Sequence, residues 1–181
     1  MGPDANARLA GEPYTEVAAR IYPHYNAALR KANAMDFDDL LAWPIRLFEQ
    51  HPETLKDYQR RWRYLHIDEY QDTNRTQYVL AKLLAADHHN LCVVGDDAQS
   101  IYAFRGADIQ NILSFQKDYP GAKPVRLEQN YRSTQRIVRL ADAVIKGNTK
   151  QLDKTLWTDN AEGDPPVLME SLSERDEAQK V

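Results

Sequence analysis

Tyr64-Leu65-His66-Ile67-Asp68-Glu69-Tyr70-Gln71-Asp72-Thr73 opens as a short apolar run and ends in two adjacent carboxylates followed by polar residues. A second run, Leu91-Cys92-Val93-Val94, leads into Gly95-Asp96-Asp97. Between them, Asn74 to Ala86 carries Tyr78, Leu80, Leu83 and Leu84 as the apolar residues of a helical stretch. Strand, helix and strand at this separation predict a parallel α/β unit. Such sheets bind ligands beyond the carboxyl ends of their strands, which is where Asp68, Glu69, Asp96 and Asp97 fall.

Upstream of this unit, Tyr14, Val17, Ala18, Ile21, Tyr25, Ala28 and Leu29 recur at helical spacing, and Pro23 predicts a kink or a second start within that helix. A further helix is expected from Met35-Asp36-Phe37-Asp38-Asp39-Leu40-Leu41, with Asp36 as its cap. A short one follows from Pro52 to about Arg60. Downstream, Pro124-Val125-Arg126-Leu127-Glu128 is a third, more polar strand candidate. Ser133 is placed to cap a helix that buries Ile137, Val138, Leu140, Ala141, Val144 and Ile145 and stops at Gly147 and Asn148. Asp159 to Pro166 reads as a loop, and Glu174 to Val181 as the beginning of a helix.

The composition bounds this reading. Of 181 residues, 43% are apolar and 28% charged, with only 7 glycines, which suits a helix-rich chain with a buried core. No apolar run is long enough to span a membrane, and the first residues lack a signal pattern. Cys92 stands alone, so an internal disulfide is excluded and a reducing, cytoplasmic setting is expected. A net charge of −4 argues against holding DNA by bulk electrostatics, though a local grip through stacking needs no such excess of positive charge.

The motif residues carry more specific chemistry. Adjacent carboxylates at a strand end suit nucleotide hydrolysis: one holds magnesium, the next orients or deprotonates the attacking water. Alone, Asp-Glu is more often a solvated pair ahead of a helix. Gln99 offers a donor and an acceptor, which suits sensing a terminal phosphate. Tyr102 and Phe104 offer faces for base stacking with Arg105 near phosphates, although two core aromatics at strand spacing is the plainer reading. Arg132, at a helix start, suits neutralising transition-state charge, and taken singly is more simply a surface arginine beside a capping serine. Arg60, Arg61 and Arg63 around Trp62 read as charged turns flanking a buried strand rather than as a DNA patch.

Taken together, these segments resemble the UvrD/PcrA/Rep branch of superfamily 1 helicases. Asp68-Glu69-Tyr70-Gln71-Asp72-Thr73-Asn74 looks like that family's Walker B motif. Gly95-Asp96 through Gln99-Ser100-Ile101-Tyr102 to Phe104-Arg105-Gly106-Ala107 looks like its third motif, and Leu127-Glu128-Gln129-Asn130-Tyr131-Arg132-Ser133-Thr134 like its fourth. Met35 to Leu41 is similar to a further family segment. Long motifs in the family's order outweigh the plainer readings of each one.

The resemblance implies an α/β fold of P-loop NTPase (RecA-like) motor domains, a parallel sheet flanked by helices, here in part. Residues 1–34 would be a helical accessory subdomain remnant, 35–122 the second half of the first RecA-like domain, and 123–181 the start of the second. It implies an ATP-dependent 3′-to-5′ DNA helicase, with ATP and Mg2+ as cofactors and single-stranded DNA and duplex–single-strand junctions as partners, of the kind that serves DNA repair. Asp68 would position magnesium and Glu69 would be the general base. Gln99 would contact the γ-phosphate or the water. Tyr131 would stack on adenine, and Arg132 would reach the γ-phosphate. Tyr102 and Phe104 would meet DNA bases, with Arg105 linking the DNA and nucleotide sites; the family often has tryptophan where Phe104 stands.

The family's Gly-x-x-x-x-Gly-Lys-Ser/Thr loop occurs nowhere in this sequence, so the chain is expected to be a portion of a longer protein. Two other readings stay open: a non-catalytic DNA-binding or regulatory module derived from the motor, and part of a helicase–nuclease subunit.

Without that loop and its lysine, the β- and γ-phosphates lose their cradle, and the chain by itself is expected not to hydrolyse ATP. Phosphate release from the pure chain that rises with single-stranded DNA and disappears in Glu69→Gln would overturn this expectation.

Overall fold

A computed structural model of the chain describes residues 13–148, 151–152 and 154–181. Residues 1–12 of the expected accessory remnant, and the side chain of Tyr14, lie outside them. The chain divides into two units, Met1–Ile112 and Leu113–Val181.

In the first unit, helix α1 (Pro13–Lys31) runs unbroken through Pro23, so the expected kink or restart is not a break in the helix. A proline there removes only its own N–H bond, and the surrounding turns keep theirs. Helix α2 (Asp39–Gln50) starts later than Met35. Asp36 still organises its entry: its Oδ1 accepts the Asp39 N–H at 2.8 Å, and the Tyr25 hydroxyl donates to its Oδ2 at 2.9 Å. These bonds, the Asp39 amide foremost, hold the Asp36 carboxyl below the usual carboxylate range. Helix α3 (Pro52–Arg61) begins on its proline, where the missing N–H has no partner to lose.

The parallel unit forms as the sequence pattern predicts. Strands β1 (Leu65–Ile67) and β2 (Leu91–Val93) pair in parallel, Leu65 opposite Leu91, His66 opposite Cys92 and Ile67 opposite Val93. Helix α4 (Arg75–Ala85) connects them. Asn74 and Gln77 close a reciprocal capping box at its start, each side chain accepting the other's backbone N–H at 2.9 Å. Helices α2, α3 and α4 pack on one another, and the buried residues of this unit include Phe48, Tyr70, Tyr78, Ala81 and Ala85. The Phe48 ring meets Tyr58 at 5.5 Å between centroids, and Tyr58 meets Trp62 at 4.7 Å. Buried Gln59 is satisfied by donating to the Leu83 carbonyl at 2.8 Å. Helix α5 (Gln110–Leu113) reaches the end of this unit.

The second unit contains α6 (Phe115–Asp118), α7 (Gln135–Ile145) and α8 (Glu174–Lys180). Two expectations are corrected here. Residues 124–128 form no strand, and Val125 and Leu127 are exposed; the pairing begins one residue later, at an isolated parallel bridge between Gln129 and Trp157. Thr134 rather than Ser133 stands at the N-cap position of α7, without a side-chain capping bond, and of its expected apolar face only Val138 is fully buried, while Ile137, Leu140 and Val144 stay exposed. Among the described residues this unit has no strand to lie beneath that face.

Candidate functional site

At the end of β1 the backbone turns sharply. Glu69 adopts a left-handed conformation (φ 50°, ψ 42°), uncommon for a residue with a side chain and shared among the described residues with Asn33 and His89. The Glu69 N–H donates to Asp68 Oδ1 at 2.9 Å, and its carbonyl accepts the Asp72 N–H at 2.9 Å. Asp68 and Glu69 are both exposed and share a cavity of about 340 Å³ with Ile67, Asp72, Thr73 and Gln77. Asp72 Oδ1 is buried and accepts no hydrogen bond among the described residues. No group of three or more metal-ligating side chains occurs among them either. That donor set fits magnesium, which is held by one or two carboxylates and completed by phosphates and water, and does not fit a metal caged by protein alone.

The side chain that organises this turn is Gln71, which is almost completely buried at 1% exposure. Its Nε2 donates to Glu69 Oε2 at 2.8 Å, and its Oε1 accepts the Asp96 N–H at 3.0 Å. Asp96 continues the chain, its Oδ2 accepting from Gln99 Nε2 at 2.7 Å and its Oδ1 accepting the Ala98 N–H at 3.0 Å. Glu69 and Gln99, separated by thirty positions in the sequence, are thus joined through the Gln71 side chain and through Asp96, which uses its backbone N–H on one side and its carboxylate on the other. The strands supply the frame: the Val94 N–H donates to the Ile67 carbonyl at 2.8 Å and the Tyr70 N–H to the Val94 carbonyl at 2.9 Å, which brings both strand ends together.

Beyond the tight turn at Asp97–Gln99, a second one at Ala103–Arg105 carries Phe104, with Tyr102 immediately before it. Phe104 is 78% exposed, so the reading of Phe104 as a core residue is set aside. Its ring lies 5.8 Å from that of Tyr102, and the Arg105 guanidinium sits 5.3 and 5.6 Å from the two centroids. Gly106, at φ 84°, closes the turn in a conformation that a side chain disfavours. The loop is then pinned to the first motif at Thr73. The Asp108 N–H and Asn111 Nδ2 both donate to the Thr73 carbonyl, at 3.0 and 2.9 Å, and Thr73 Oγ1 donates to the Tyr70 carbonyl at 2.7 Å.

In the second unit, Tyr131 and Arg132 are exposed beside a cavity of about 430 Å³ lined by Gln129, Asn130, Tyr131 and Arg132. The Tyr131 hydroxyl donates to Gln129 Oε1 at 2.8 Å, while Asn130 Oδ1 accepts the N–H groups of Arg132 and Ser133 at 2.9 and 2.8 Å.

The structure therefore gathers Asp68, Glu69, Gln99, Tyr102, Phe104 and Arg105 within one unit, and Tyr131 with Arg132 in the other. Sequence reasoning passed over Gln71, Thr73 and Asn111 as site residues, and placed Asp96 at a ligand-binding strand end without its partners. The available signal was the pairing of Gln71 with Gly95-Asp96: a polar residue bound for burial needs a partner, and a glycine at a strand end admits one.

Residues 3–120 match the UvrD/REP helicase N-terminal domain, and residues 125–181 match the UvrD-like helicase C-terminal domain. The chain is 52% identical over 179 residues to the ATP-dependent DNA helicase PcrA of Staphylococcus epidermidis, an overlap covering 99% of this chain and 25% of that protein. It is 55% identical over 161 residues to the protein of that name in Bacillus subtilis, covering 89% of this chain and 22% of the relative. For Staphylococcus aureus the identity is 52% over 172 residues, or 95% and 24%. The chain spans about a quarter of the length of these curated relatives.

The junction between Gln71 and the second strand leaves no room at Gly95. A Cβ there would lie 2.7 Å from Gln71 Oε1 and 2.8 Å from Ile112 Cδ1. Gly95→Ala should therefore destabilise the chain by about 1–3 kcal/mol, the usual range for overpacking, and lower its melting temperature. A melting temperature equal to that of the parent chain would show that the Gln71 contact yields freely.

Proposed function

This chain belongs to the UvrD/REP helicase family, and we propose that it carries part of the ATP-hydrolysing and DNA-gripping machinery of an ATP-dependent 3′-to-5′ DNA helicase. The observation that carries this reading is the hydrogen-bonded path from Glu69 through Gln71 and Asp96 to Gln99. It links a carboxylate suited to activating water with a carboxamide suited to reporting on a terminal phosphate.

In this reading residues 35–122 belong to the first RecA-like motor domain of a P-loop NTPase fold and 123–181 to the second, with residues 1–34 from a helical accessory subdomain. Asp68 holds magnesium, which supplies charge neutralisation at the phosphates when bound. Glu69, fixed by its own left-handed backbone and by Gln71, orients and deprotonates the attacking water. Gln99 senses the γ-phosphate and passes its state to the loop that bears Tyr102 and Phe104. Those rings stack on the bases of single-stranded DNA, including at duplex junctions, and Arg105 stands between the DNA and nucleotide sites. Tyr131 stacks on adenine, and Arg132 brings positive charge to the developing charge on the transferred phosphoryl group. A cytoplasmic setting and a part in DNA repair accompany this reading; no described helix is long and apolar enough to cross a membrane.

Two variants separate hydrolysis from DNA grip in the longer protein that carries this chain together with a phosphate-binding loop. Glu69→Gln should lower DNA-stimulated ATP turnover by about 10²- to 10⁴-fold, the range for loss of a general base, with DNA affinity retained. Phe104→Ala should weaken single-strand affinity about 5- to 150-fold, as expected for losing a base stack of roughly 1–3 kcal/mol, with little change in melting temperature. Full turnover in the first variant, or unchanged DNA affinity in the second, would refute the corresponding role.

A further inference from the structure

The segment from Trp157 to Glu162 has no part in the function just proposed, yet it is bonded along the whole length of the loop that presents Tyr131 and Arg132. The Asn130 N–H donates to the Trp157 carbonyl at 2.7 Å, and the Trp157 N–H donates to the Glu128 carbonyl at 3.1 Å. Gln129 Nε2 donates to Asp159 Oδ2 at 3.2 Å. Past the loop, the N–H groups of Gln135 and Arg136 donate to the carbonyls of Ala161 and Glu162, both at 3.2 Å. Glu162 also pairs with Arg136 and Arg139 on the first turns of α7. Gly163 lies so close to Thr134 that a Cβ would meet its side chain at 2.5 to 2.7 Å.

At the centre of this brace is Asn160. Its Nδ2 donates to the Tyr131 carbonyl at 3.2 Å and to the Ser133 carbonyl at 3.0 Å, the two carbonyls that flank Arg132. Its own carbonyl accepts from Gln135 Nε2 at 3.0 Å, and its N–H donates to Thr158 Oγ1 at 3.1 Å. On the other side, Asn130 Oδ1 takes the N–H groups of Arg132 and Ser133. The backbone at Arg132 is therefore held from both sides, while its side chain remains exposed and has no ion-pair partner among the described residues. A carboxamide is the side chain that brings two donors on one short stem. An aspartate of equal size has neither and would set a carboxylate against two carbonyl oxygens.

We propose that Asn160 is a positioning residue for phosphoryl transfer, fixing the Tyr131–Ser133 backbone so that Arg132 is aimed before the transition state forms. This rests on the assignment of Arg132 to transition-state stabilisation. A preorganised cation needs no reorganisation as charge develops, so the loss of its support falls on turnover more than on nucleotide binding.

The test is DNA-stimulated ATP hydrolysis by the longer protein that carries this chain, in Asn160→Ala, Asn160→Asp, Arg132→Ala and the Asn160→Asp/Arg132→Ala pair, with melting temperatures of each. Asn160→Asp keeps the side-chain volume and serves where Asn160→Ala fails to fold. Both single Asn160 variants are expected to lower kcat at least tenfold with KM for ATP changed less than threefold. In the double variant the loss should be no greater than in Arg132→Ala alone, because residues that act as one unit are not additive. Unchanged kcat in folded Asn160→Asp, or losses that multiply in the double variant, would overturn the proposal. An unaltered kcat in Arg132→Ala would instead overturn the role assigned to Arg132.

Discussion

The first unit depends on one buried carboxamide. Gln71 reaches from the turn after β1 to the turn after β2, donating a hydrogen bond to Glu69 and accepting one from the backbone N–H of Asp96. Both halves of its amide are used, so it leaves no buried polar atom unpaired, the condition under which a buried amide favours one arrangement over its neighbours. An apolar residue of similar size would orphan the Asp96 N–H and leave the Glu69 carboxylate without its donor. The absence of a Cβ at Gly95 follows from the same contact, since the space a methyl group would take is filled by Gln71 and Ile112.

Around this bridge, buried and exposed residues are sharply divided. Tyr70, Gln71 and Thr73 are buried, and Asn111 is buried against Thr73. The groups that would touch ligand stand outside: Asp68, Glu69 and Gln99 are exposed close to the buried anchors Tyr70 and Asp97, and Phe104 is exposed on the loop between Asp97 and Asn111. Asp96 is the link between the two sets, because it is bonded to Gln71 on one side and to Gln99 on the other. Gln99 therefore has a bonded path to Glu69 that runs through Asp96 and Gln71.

The second unit solves a similar problem with less core. Val138 is its one fully buried hydrophobic residue among those described, and the apolar stripe of α7 lies mostly open. Order in the Tyr131–Arg132 loop comes instead from hydrogen bonds to a neighbouring stretch without regular secondary structure. Side-chain amides at Asn130, Gln135 and Asn160 take the place that strand pairing holds in the first unit.

The sequence by itself determined the elements whose signals are local. The parallel pair with its connecting helix, the proline start of α3, the helix beginning at Glu174 and the acidic residues at strand ends all follow from side-chain period and breakers, which act over a few residues. Motif order added which chemistry to look for at Asp68, Glu69, Gln99 and Arg132. Only the tertiary structure decided which polar residues were partners. Gln71 meets Asp96 across 25 positions, and Asn160 meets Ser133 across 27. It also decided that residues 124–128 stay unpaired and that Ile137, Leu140 and Val144 remain uncovered. A strand needs a neighbour and an apolar face needs a cover, and neither requirement is written in the residues that have it; both depend on what the rest of the chain brings alongside.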